Sequence, residues 1–297
     1  MRLVNIVGAQ SGSIGMHIEF SGRVINVERA SQGLFSSDPA SLFESWAEFR
    51  RWAQSMDFAT LDSAPSPERA DLGPVSPTPR QVFAVGLNYS GHADESGFAK
   101  PDHPVIFTKY SSSITGPYTD VALPPGSVDW EVELVVVVGR SGRNIPFDMA
   151  WEFVAGLTVG QDISEREMQH RGPAPQFGLA KSHAGFSPIG PALVTPDEFE
   201  NPDDLEIGCK IDGVQMQIGR TSSLIFSVPE LVARLSQTVE LLPGDLIFTG
   251  TPEGVGAGRT PTRFLRSGEV LESYIEGIGH LEQRMITRSD SAVPSGV

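Results

Sequence analysis

The stretch DWEVELVVVVG, residues 129–139, contains the longest apolar run of the chain, LVVVV from Leu134 to Val138. The β-branched residues of this short run predict a buried strand. At this length it is far below the roughly 20 residues that a transmembrane helix needs. Glu131 and Glu133 lie at the start of the strand, and residues two apart on a strand share a face. Their carboxylates would therefore repel each other unless a positive group lay between them.

A third acidic residue, Asp162, follows the apolar segment FVAGLTVG at 153–160. With Glu131 and Glu133 it would offer three oxygen ligands, a set that favours Mg²⁺, Mn²⁺ or Ca²⁺ over zinc. Simpler interpretations remain open: the two glutamates could lie at a solvated strand end, and Asp162 could cap the next helix. Burial of the strand favours the metal site, because unpaired buried carboxylates are costly.

The glycine-rich segment GLNYSGHADESG, residues 86–97, contains His92 and Glu95. On one helical turn these two residues share a face, and a carboxylate beside an imidazole orients it as a general base requires. An ordinary surface pair is the alternative. Lys181, in GLAKSHAGF at 178–186, is a further candidate, although most such lysines extend to solvent.

Short apolar or alternating runs bounded by glycine and proline dominate the chain from residue 81 onward and predict strands. These runs are QVFAVGL, VIFTKY, EVELVVVVG, FVAGLTVGQDI, SPIGPALVT, LEIGCKIDGV, DLIFTG and EVLESYIEGIG. Helical patterns are fewer and lie around 149–154, 164–170 and 228–236. Because strands and helices do not alternate regularly, we predict an α+β fold with a strongly curved sheet. Motifs typical of serine hydrolases, phosphate-binding loops and zinc proteases are absent from the sequence.

The N-terminal segment predicts a small β-rich unit. SIGMHIEF at 13–20 and RVINV at 23–27 flank Ser21-Gly22, a pattern typical of a β-hairpin. DPASLFESWAEFRRWAQ at 38–54 predicts one amphipathic helix capped by Asp38.

A proline-rich stretch at 57–80 marks a domain boundary. We therefore expect a small N-terminal hairpin and helix domain at 1–75 and a catalytic domain at 76–287. The polar residues 288–297 show no periodicity and predict a flexible tail.

The charge and cysteine content exclude several classes of protein. The 37 acidic and 22 basic residues give a net charge of −15, which makes a nucleic-acid-binding surface improbable. The single cysteine, Cys209, excludes an intrachain disulfide and a cysteine-based zinc site. The N-terminal residues lack the apolar segment of a signal peptide. We therefore expect a soluble cytoplasmic protein without nucleic-acid or membrane partners.

Eight motifs follow one another along the chain: VGLNYSGHADESG, PVIFTK, DWEVELVVVVG, VGQDISEREMQ, LAKS, FSPIGP, IFSVPELVARLS and LLPGDLIFTGTPEGVG. Through these motifs the segment from about Val82 to Met285 closely resembles the fumarylacetoacetate hydrolase family. The resemblance implies a β-roll of mixed sheets, a small N-terminal β-rich extension and a homodimer.

The resemblance also implies a role for each matching residue. The positions carried over are the Mg²⁺ or Mn²⁺ ligands Glu131, Glu133 and Asp162, the catalytic residues His92, Glu95 and Lys181, and the substrate-binding residues Gln169 and Thr251. Arg166 is a further substrate-binding candidate, because an acidic protein needs local positive charge to attract an anionic substrate. Ca²⁺ could occupy the same site in crystals.

The implied activity is divalent-metal-dependent hydrolysis of a C–C bond in an acylpyruvate-type 1,3-dicarbonyl 2-oxo acid, through a metal-stabilised enolate. The expected partner is thus a small anionic 2-oxo acid. The same site could instead serve an oxaloacetate decarboxylase, a 2-oxo acid isomerase or hydratase, or a hydrolase of 2,4-dioxo-3-deoxy sugar acids. A non-catalytic relative that only binds metal and oxo acid is a further alternative, which the presence of both His92 and Glu95 disfavours.

Overall fold

The computed structural model describes residues 1–8, 14–95, 97 and 99–287. The predicted tail at 288–297, and residue 13 of the predicted hairpin, lie outside these residues. The strands are β1 (Arg2–Ile6), β2 (Gly15–Phe20), β3 (Arg23–Asn26), β4 (Ala64–Pro65), β5 (Leu72–Gly73), β6 (Val82–Gly86), β7 (Val105–Thr108), β8 (Ile114–Thr115), β9 (Tyr118–Leu123), β10 (Val128–Asp129), β11 (Val132–Val138), β12 (Val154–Gln161), β13 (Ser164–Glu165), β14 (Ser187–Val194), β15 (Glu206–Ile211), β16 (Val214–Arg220), β17 (Leu246–Phe248), β18 (Val270–Ile275) and β19 (Gly279–Thr287). The α-helices are α1 (Val27–Ala30), α2 (Pro39–Glu44), α3 (Trp46–Gln54), α4 (Ser90–Glu95), α5 (Arg166–Gln169), α6 (Phe177–Ala180) and α7 (Val228–Thr238).

Two sheets form the framework of the molecule. The large sheet has the strand order β4-β3-β2-β1-β14-β12-β11-β17-β6-β7, with β5 paired to β1 and β8 to β14. The second sheet has the order β16-β15-β18-β19-β9, and β10 pairs with β13. Parallel pairs such as β17–β6 and β19–β9 occur among antiparallel ones. Strands therefore form where the apolar runs predicted them, and the α+β class with mixed sheets is confirmed.

Strand β11 lies in the interior of the large sheet, and every one of its residues is buried. Its side chains alternate between two apolar cores. Leu134 and Val136 belong to the core shared with the second sheet, whereas Val135 and Val137 belong to the core covered by α2 and α3. Because both faces are buried, the strand has no need of alternating polar residues.

The segment predicted as one helix at 38–54 forms two helices, α2 and α3, separated by Ser45. Ser45 leaves the helical conformation, with φ −110° and ψ 22°. Its hydroxyl donates to the carbonyl of Ser41 at 3.0 Å, a side-chain bond that competes with regular helix geometry. The predicted cap is confirmed, because Asp38 Oδ2 accepts a hydrogen bond from the Ser41 amide at 2.9 Å.

Two of the predicted helical patterns differ in extent from the structure. Around 149–154 the chain forms a 3-10 helix, Phe147–Phe153, that leads directly into β12. Tight 3-10 turns suit such short connections. The pattern at 164–170 gives only the one-turn helix α5, because residues 164–165 belong to β13.

The large sheet continues across the boundary predicted between residues 75 and 76. Strand β1 pairs with β2 on one side and with β14 on the other. The N-terminal hairpin β2–β3 therefore extends the sheet that carries β11. None of the helices in the described ranges has the length and apolar character needed to cross a membrane.

Phe49→Ala is expected to lower the free energy of unfolding by about 3–5 kcal/mol. Phe49 is 0% exposed. Its ring centroid lies 5.5–5.9 Å from the ring centroids of Phe35, Trp46 and Trp52. Urea unfolding followed by tryptophan fluorescence measures the change. Glu48→Ala, at an exposed position of the same helix, is the control and should change stability by less than about 0.5 kcal/mol. A loss of under about 1 kcal/mol in Phe49→Ala would contradict the role of this cluster.

Candidate active site and metal centre

Three buried carboxylates meet at one end of β11. Glu131 precedes the strand, Glu133 is its second residue and Asp162 directly follows β12. The antiparallel register pairs Val132 with Gln161, and the Asp162 amide donates to the Glu131 carbonyl at 2.9 Å. One oxygen from each carboxylate lies within 4.8 Å of the other two. Strand pairing thus brings together the three acids that the sequence singled out.

The simpler interpretations of these acids do not fit the structure. Glu131, Glu133 and Asp162 are 4%, 1% and 0% exposed, so the glutamates do not lie at a solvated strand end. The cap of α5 is Glu165, whose carboxylate accepts from the amides of Glu167 and Met168.

The ammonium group of Lys181 lies between two of the carboxylates. Its Nζ donates to Glu131 Oε2 at 2.6 Å and to Asp162 Oδ2 at 2.7 Å. Lys181 is buried and therefore does not extend to solvent. Burial alone would lower the pKa of Lys181, but the charges of Asp162 and Glu131 outweigh it and raise that pKa. Lys181 is therefore a charged partner of the acidic triad.

The carboxylate of Glu133 is not neutralised in the same way. Its Oε2 accepts from the amide of Gly250 at 2.8 Å. Gly250 has φ +102°, and a Cβ there would lie 2.7 Å from the Cβ of Asn88, so this approach requires glycine. Burial raises the pKa of Glu133, and the charges of Asp162 and Glu131 raise it further. Among the described ion pairs none gives Glu133 a cationic partner. The oxygen donors of the three carboxylates fit a hard divalent cation, whose charge would favour the ionised form of Glu133.

Arg166 links the triad to Asp129. Its guanidinium contacts Glu131 Oε1 at 2.6 Å, Asp129 Oδ2 at 2.8 Å and Gln169 Oε1 at 3.0 Å. Burial alone would raise the pKa of Glu131, but the charges of Lys181 and Arg166 outweigh it and hold that pKa below its usual range. Glu131 is therefore an ionised carboxylate even though it is buried.

His92 and Glu95 form a hydrogen-bonded pair on α4. His92 Nδ1 lies 2.8 Å from Glu95 Oε1, and Glu95 Oε2 accepts from the Gly254 amide at 2.9 Å. Glu95 therefore fixes the imidazole and is itself fixed by the segment that follows β17. An imidazole that donates from Nδ1 presents Nε2 as its proton acceptor.

The structure brings the nine predicted site residues together around one cavity of about 560 Å³. Eight of them line it: His92, Glu95, Glu131, Glu133, Arg166, Gln169, Lys181 and Thr251. The ninth, Asp162, is completely buried and bonded to Lys181. The location agrees with the sequence prediction, whereas the role of each residue stays a prediction.

Lys109 is a residue of this site that sequence reasoning did not single out. Its side chain is fully buried, and its Nζ donates to Asp162 Oδ1 at 2.5 Å, to the carbonyl of Phe186 at 3.3 Å and to the carbonyl of Lys181. Burial lowers the pKa of Lys109, although the charge of Asp162 opposes this. The one available signal was a lysine directly after the apolar VIFT, which does not separate a buried lysine from one that reaches solvent.

Asp129 is the second residue that was missed. Besides Arg166, its carboxylate binds the amides of Gly256 at 2.7 Å and Ala257 at 2.9 Å. It therefore holds the segment after β17 against the triad. No local pattern indicates this role, because these two partners are backbone groups more than 120 residues away.

Lys109→Met is expected to lower the free energy of unfolding by about 3 kcal/mol, because it removes one of the two ammonium groups that pair with the buried Asp162. Methionine keeps most of the side-chain volume, so the effect reports the lost charge. Chemical denaturation measures it. Lys100→Met, at an exposed position, is the matched control. Equal stabilities of the two variants would contradict the prediction.

Comparison with known proteins extends the family resemblance. Residues 81–286 match the family model described as fumarylacetoacetate (FAA) hydrolase C-terminal. The human protein named oxaloacetate tautomerase FAHD2A, mitochondrial, is 43% identical over 230 residues, which cover 77% of this chain and 73% of that protein.

Two solved structures show the same fold. A putative HpcE protein from Mycobacterium smegmatis is 58% identical, with a TM-score of 0.90 over 97% of this chain and 100% of that one. A fumarylpyruvate hydrolase from Pseudomonas aeruginosa, solved with Mn²⁺ and pyruvate, is 35% identical, with a TM-score of 0.65 over 71% of this chain and 91% of that one. From the family match over more than half of its length and from its fold, the chain belongs to the fumarylacetoacetate hydrolase family.

Proposed function

We propose that the protein is a divalent-metal-dependent hydrolase that cleaves a C–C bond in an acylpyruvate-type substrate. The observation that carries this proposal is the opening of Glu131, Glu133, Lys181 and the His92–Glu95 pair onto one cavity, with Asp162 converging on the two glutamates from the buried side. Members of the family are enzymes, and a related hydrolase binds Mn²⁺ and pyruvate. Pyruvate is one product that an acylpyruvate hydrolase would release.

Glu131, Glu133 and Asp162 would hold Mg²⁺ or Mn²⁺. The fit rests on their three convergent oxygens and on the burial of Glu133 without a cationic partner among the described ion pairs. A bound divalent cation would act as a Lewis acid towards the carboxylate and 2-oxo oxygens of the substrate.

His92 would act as general base. Its Nε2 would take a proton from a water molecule that adds to the distal carbonyl carbon, and Glu95 would stabilise the resulting imidazolium through Nδ1. The bond between that carbon and the adjacent methylene then breaks, and its electron pair goes to the methylene carbon. The imidazolium returns the proton to this carbon, which gives pyruvate and a carboxylic acid.

Lys181 would stabilise the oxyanion that forms on the distal carbonyl oxygen. Its ammonium is buried and retains its charge, and a cation in a water-poor site stabilises developing negative charge strongly. Gln169 and Thr251 would contact the substrate from the cavity wall. Arg166 would add positive charge beside the carboxylate end of the substrate.

Tautomerisation of oxaloacetate is the second candidate. It is favoured by the 43% identity to a human protein that carries this name. The reaction moves a proton between carbon and oxygen and needs no water attack, so the same base could serve it. The two candidates differ in whether a C–C bond is broken.

Glu133→Gln is expected to weaken Mn²⁺ binding at least about tenfold, because it removes one of three charged ligands. Isothermal titration calorimetry measures the affinity, and EDTA should abolish turnover until Mn²⁺ or Mg²⁺ is restored. Glu167→Gln, at an exposed position of α5, is the control with unchanged affinity. Turnover that survives chelation would rule out the proposed metal site.

His92→Ala is expected to reduce acetylpyruvate hydrolysis at least about 100-fold while the Mn²⁺ affinity stays the same, because His92 is proposed as the base and not as a ligand. His103→Ala, at an exposed position, is the control. An unchanged rate in His92→Ala would remove His92 from this role.

A substrate panel separates the two candidates. Acetylpyruvate, fumarylpyruvate and oxaloacetate are incubated with the metal-loaded protein, and products are followed by absorbance and by chromatography. We expect cleavage of at least one acylpyruvate. Accelerated ketonisation of enol-oxaloacetate without cleavage of either acylpyruvate would favour the tautomerase.

A further inference from the structure

The wall of the cavity next to Lys181 is apolar. Lys181 Nζ lies 5.0 Å from the ring centroid of Phe107, and the Phe107 and Phe177 rings meet edge to face with centroids 5.3 Å apart. Val105 and Phe107 are two residues apart on β7 and therefore lie on the same face of the strand. All three side chains line the cavity. We call Val105, Phe107 and Phe177 the apolar wall.

The apolar wall and the acidic triad belong to the same face of the large sheet. Phe107 packs against the core that contains Val135 and Val137, and these two residues share the face of Glu133 on β11. The apolar wall therefore lies next to Lys181 and the acidic triad. A substrate held at the triad and extending past Lys181 would place its distal part against the apolar wall.

In the described part of the chain, the charged groups at the triad leave no cation for a second substrate carboxylate. Among the side chains that the structure describes, three cations and five carboxylates line the cavity or bond to residues that do: Lys109, Arg166, Lys181, Glu95, Asp129, Glu131, Glu133 and Asp162. One divalent cation makes these charges balance, and the carboxylate of a 2-oxo acid then adds one negative charge. Each of the three cations already holds a carboxylate.

Histidine is the remaining basic residue type in the described lining of the cavity. His92 is bonded to Glu95, and His170 lies at an exposed position. A carboxylate seated against the apolar wall would lose its hydration without gaining a buried cationic partner, which is costly. An alkyl or aryl group in the same place would instead leave water for apolar contacts.

We propose that the apolar wall receives an uncharged, apolar acyl group, so that the substrates are monoanionic acylpyruvates with alkyl or aryl acyl groups. This inference names the substrate class and rests on the proposed function of the site. It makes Val105, Phe107 and Phe177 the residues that determine specificity at the distal end of the substrate.

The test is a binding comparison that does not depend on which reaction the protein catalyses. Isothermal titration calorimetry with the Mn²⁺-loaded protein compares 2-oxohexanoate with 2-oxoadipate, which have the same chain length and differ in a terminal methyl or carboxylate. We expect 2-oxohexanoate to bind at least about tenfold more tightly. Equal binding, tighter binding of 2-oxoadipate, or binding of neither acid would overturn the proposal.

A pair of variants tests whether the apolar wall causes the preference. Val105→Arg introduces a cation at the wall and is expected to reduce the ratio of the two affinities at least about tenfold. Ile106→Arg introduces the same charge at the next residue, which is exposed on the opposite face of β7, and should leave the ratio unchanged. Equal effects of the two variants would overturn the assignment to this wall.

Kinetics then separate this inference from the proposed function. The same protein is assayed for cleavage of acetylpyruvate, benzoylpyruvate and fumarylpyruvate, and we expect kcat/KM to be lowest for fumarylpyruvate. A preserved binding preference without cleavage of any acylpyruvate would refute the hydrolase and leave the apolar wall in place. Cleavage with highest kcat/KM for fumarylpyruvate would support the hydrolase and refute the apolar acyl group.

Discussion

Repulsion among three buried carboxylates is the constraint on which the rest of this site depends. Charges no more than 4.8 Å apart repel by at least about 3.5 kcal/mol per pair at an effective dielectric constant of about 20. Because these acids are buried, water screens their charges only weakly, and the fold must supply positive charge from within. Lys181, Lys109 and Arg166 do so, and each would itself be costly to bury without a carboxylate. The buried carboxylates and the buried cations therefore stabilise each other.

The sheet explains how such costly groups are held in place. Strand β11 has an apolar core on each face, and its register with β12 sets Asp162 opposite Glu131. The ligand residues are thus positioned by a strand pair whose residues are all buried. The His92–Glu95 pair lies on a short helix instead, and the Gly254 amide attaches it to the framework. The site combines a rigid acidic centre with a base on a separate segment.

Local patterns were sufficient for much of this architecture. The alternation and burial of β11, the third acid after β12 and the His92–Glu95 spacing could all be predicted, because each depends on residues close together in sequence or on recognised motifs. Lys109 and Asp129 could not, because their partners lie more than 30 residues away and burial decides their role. The helix break at Ser45 could not be predicted either. The helical spacing of apolar residues continues across Ser45, whereas its side-chain hydrogen bond to Ser41 interrupts the helix.

The position of β1 has a consequence for how the chain folds during synthesis. Arg2 pairs with Val194 and Leu3 with Leu193, so these two residues of β1 lack their second neighbour until β14 has been made, whereas Asn5 and Ile6 pair with the earlier strand β5. At synthesis rates of about 5–20 residues per second, the time between completion of the hairpin and completion of β14 is about 8–34 s, and part of the β1 edge stays unpaired during it. Such edges pair readily with other chains, and two or three strands alone are barely stable in water. Translation speed between β3 and β14 therefore sets how long the nascent chain is open to aggregation.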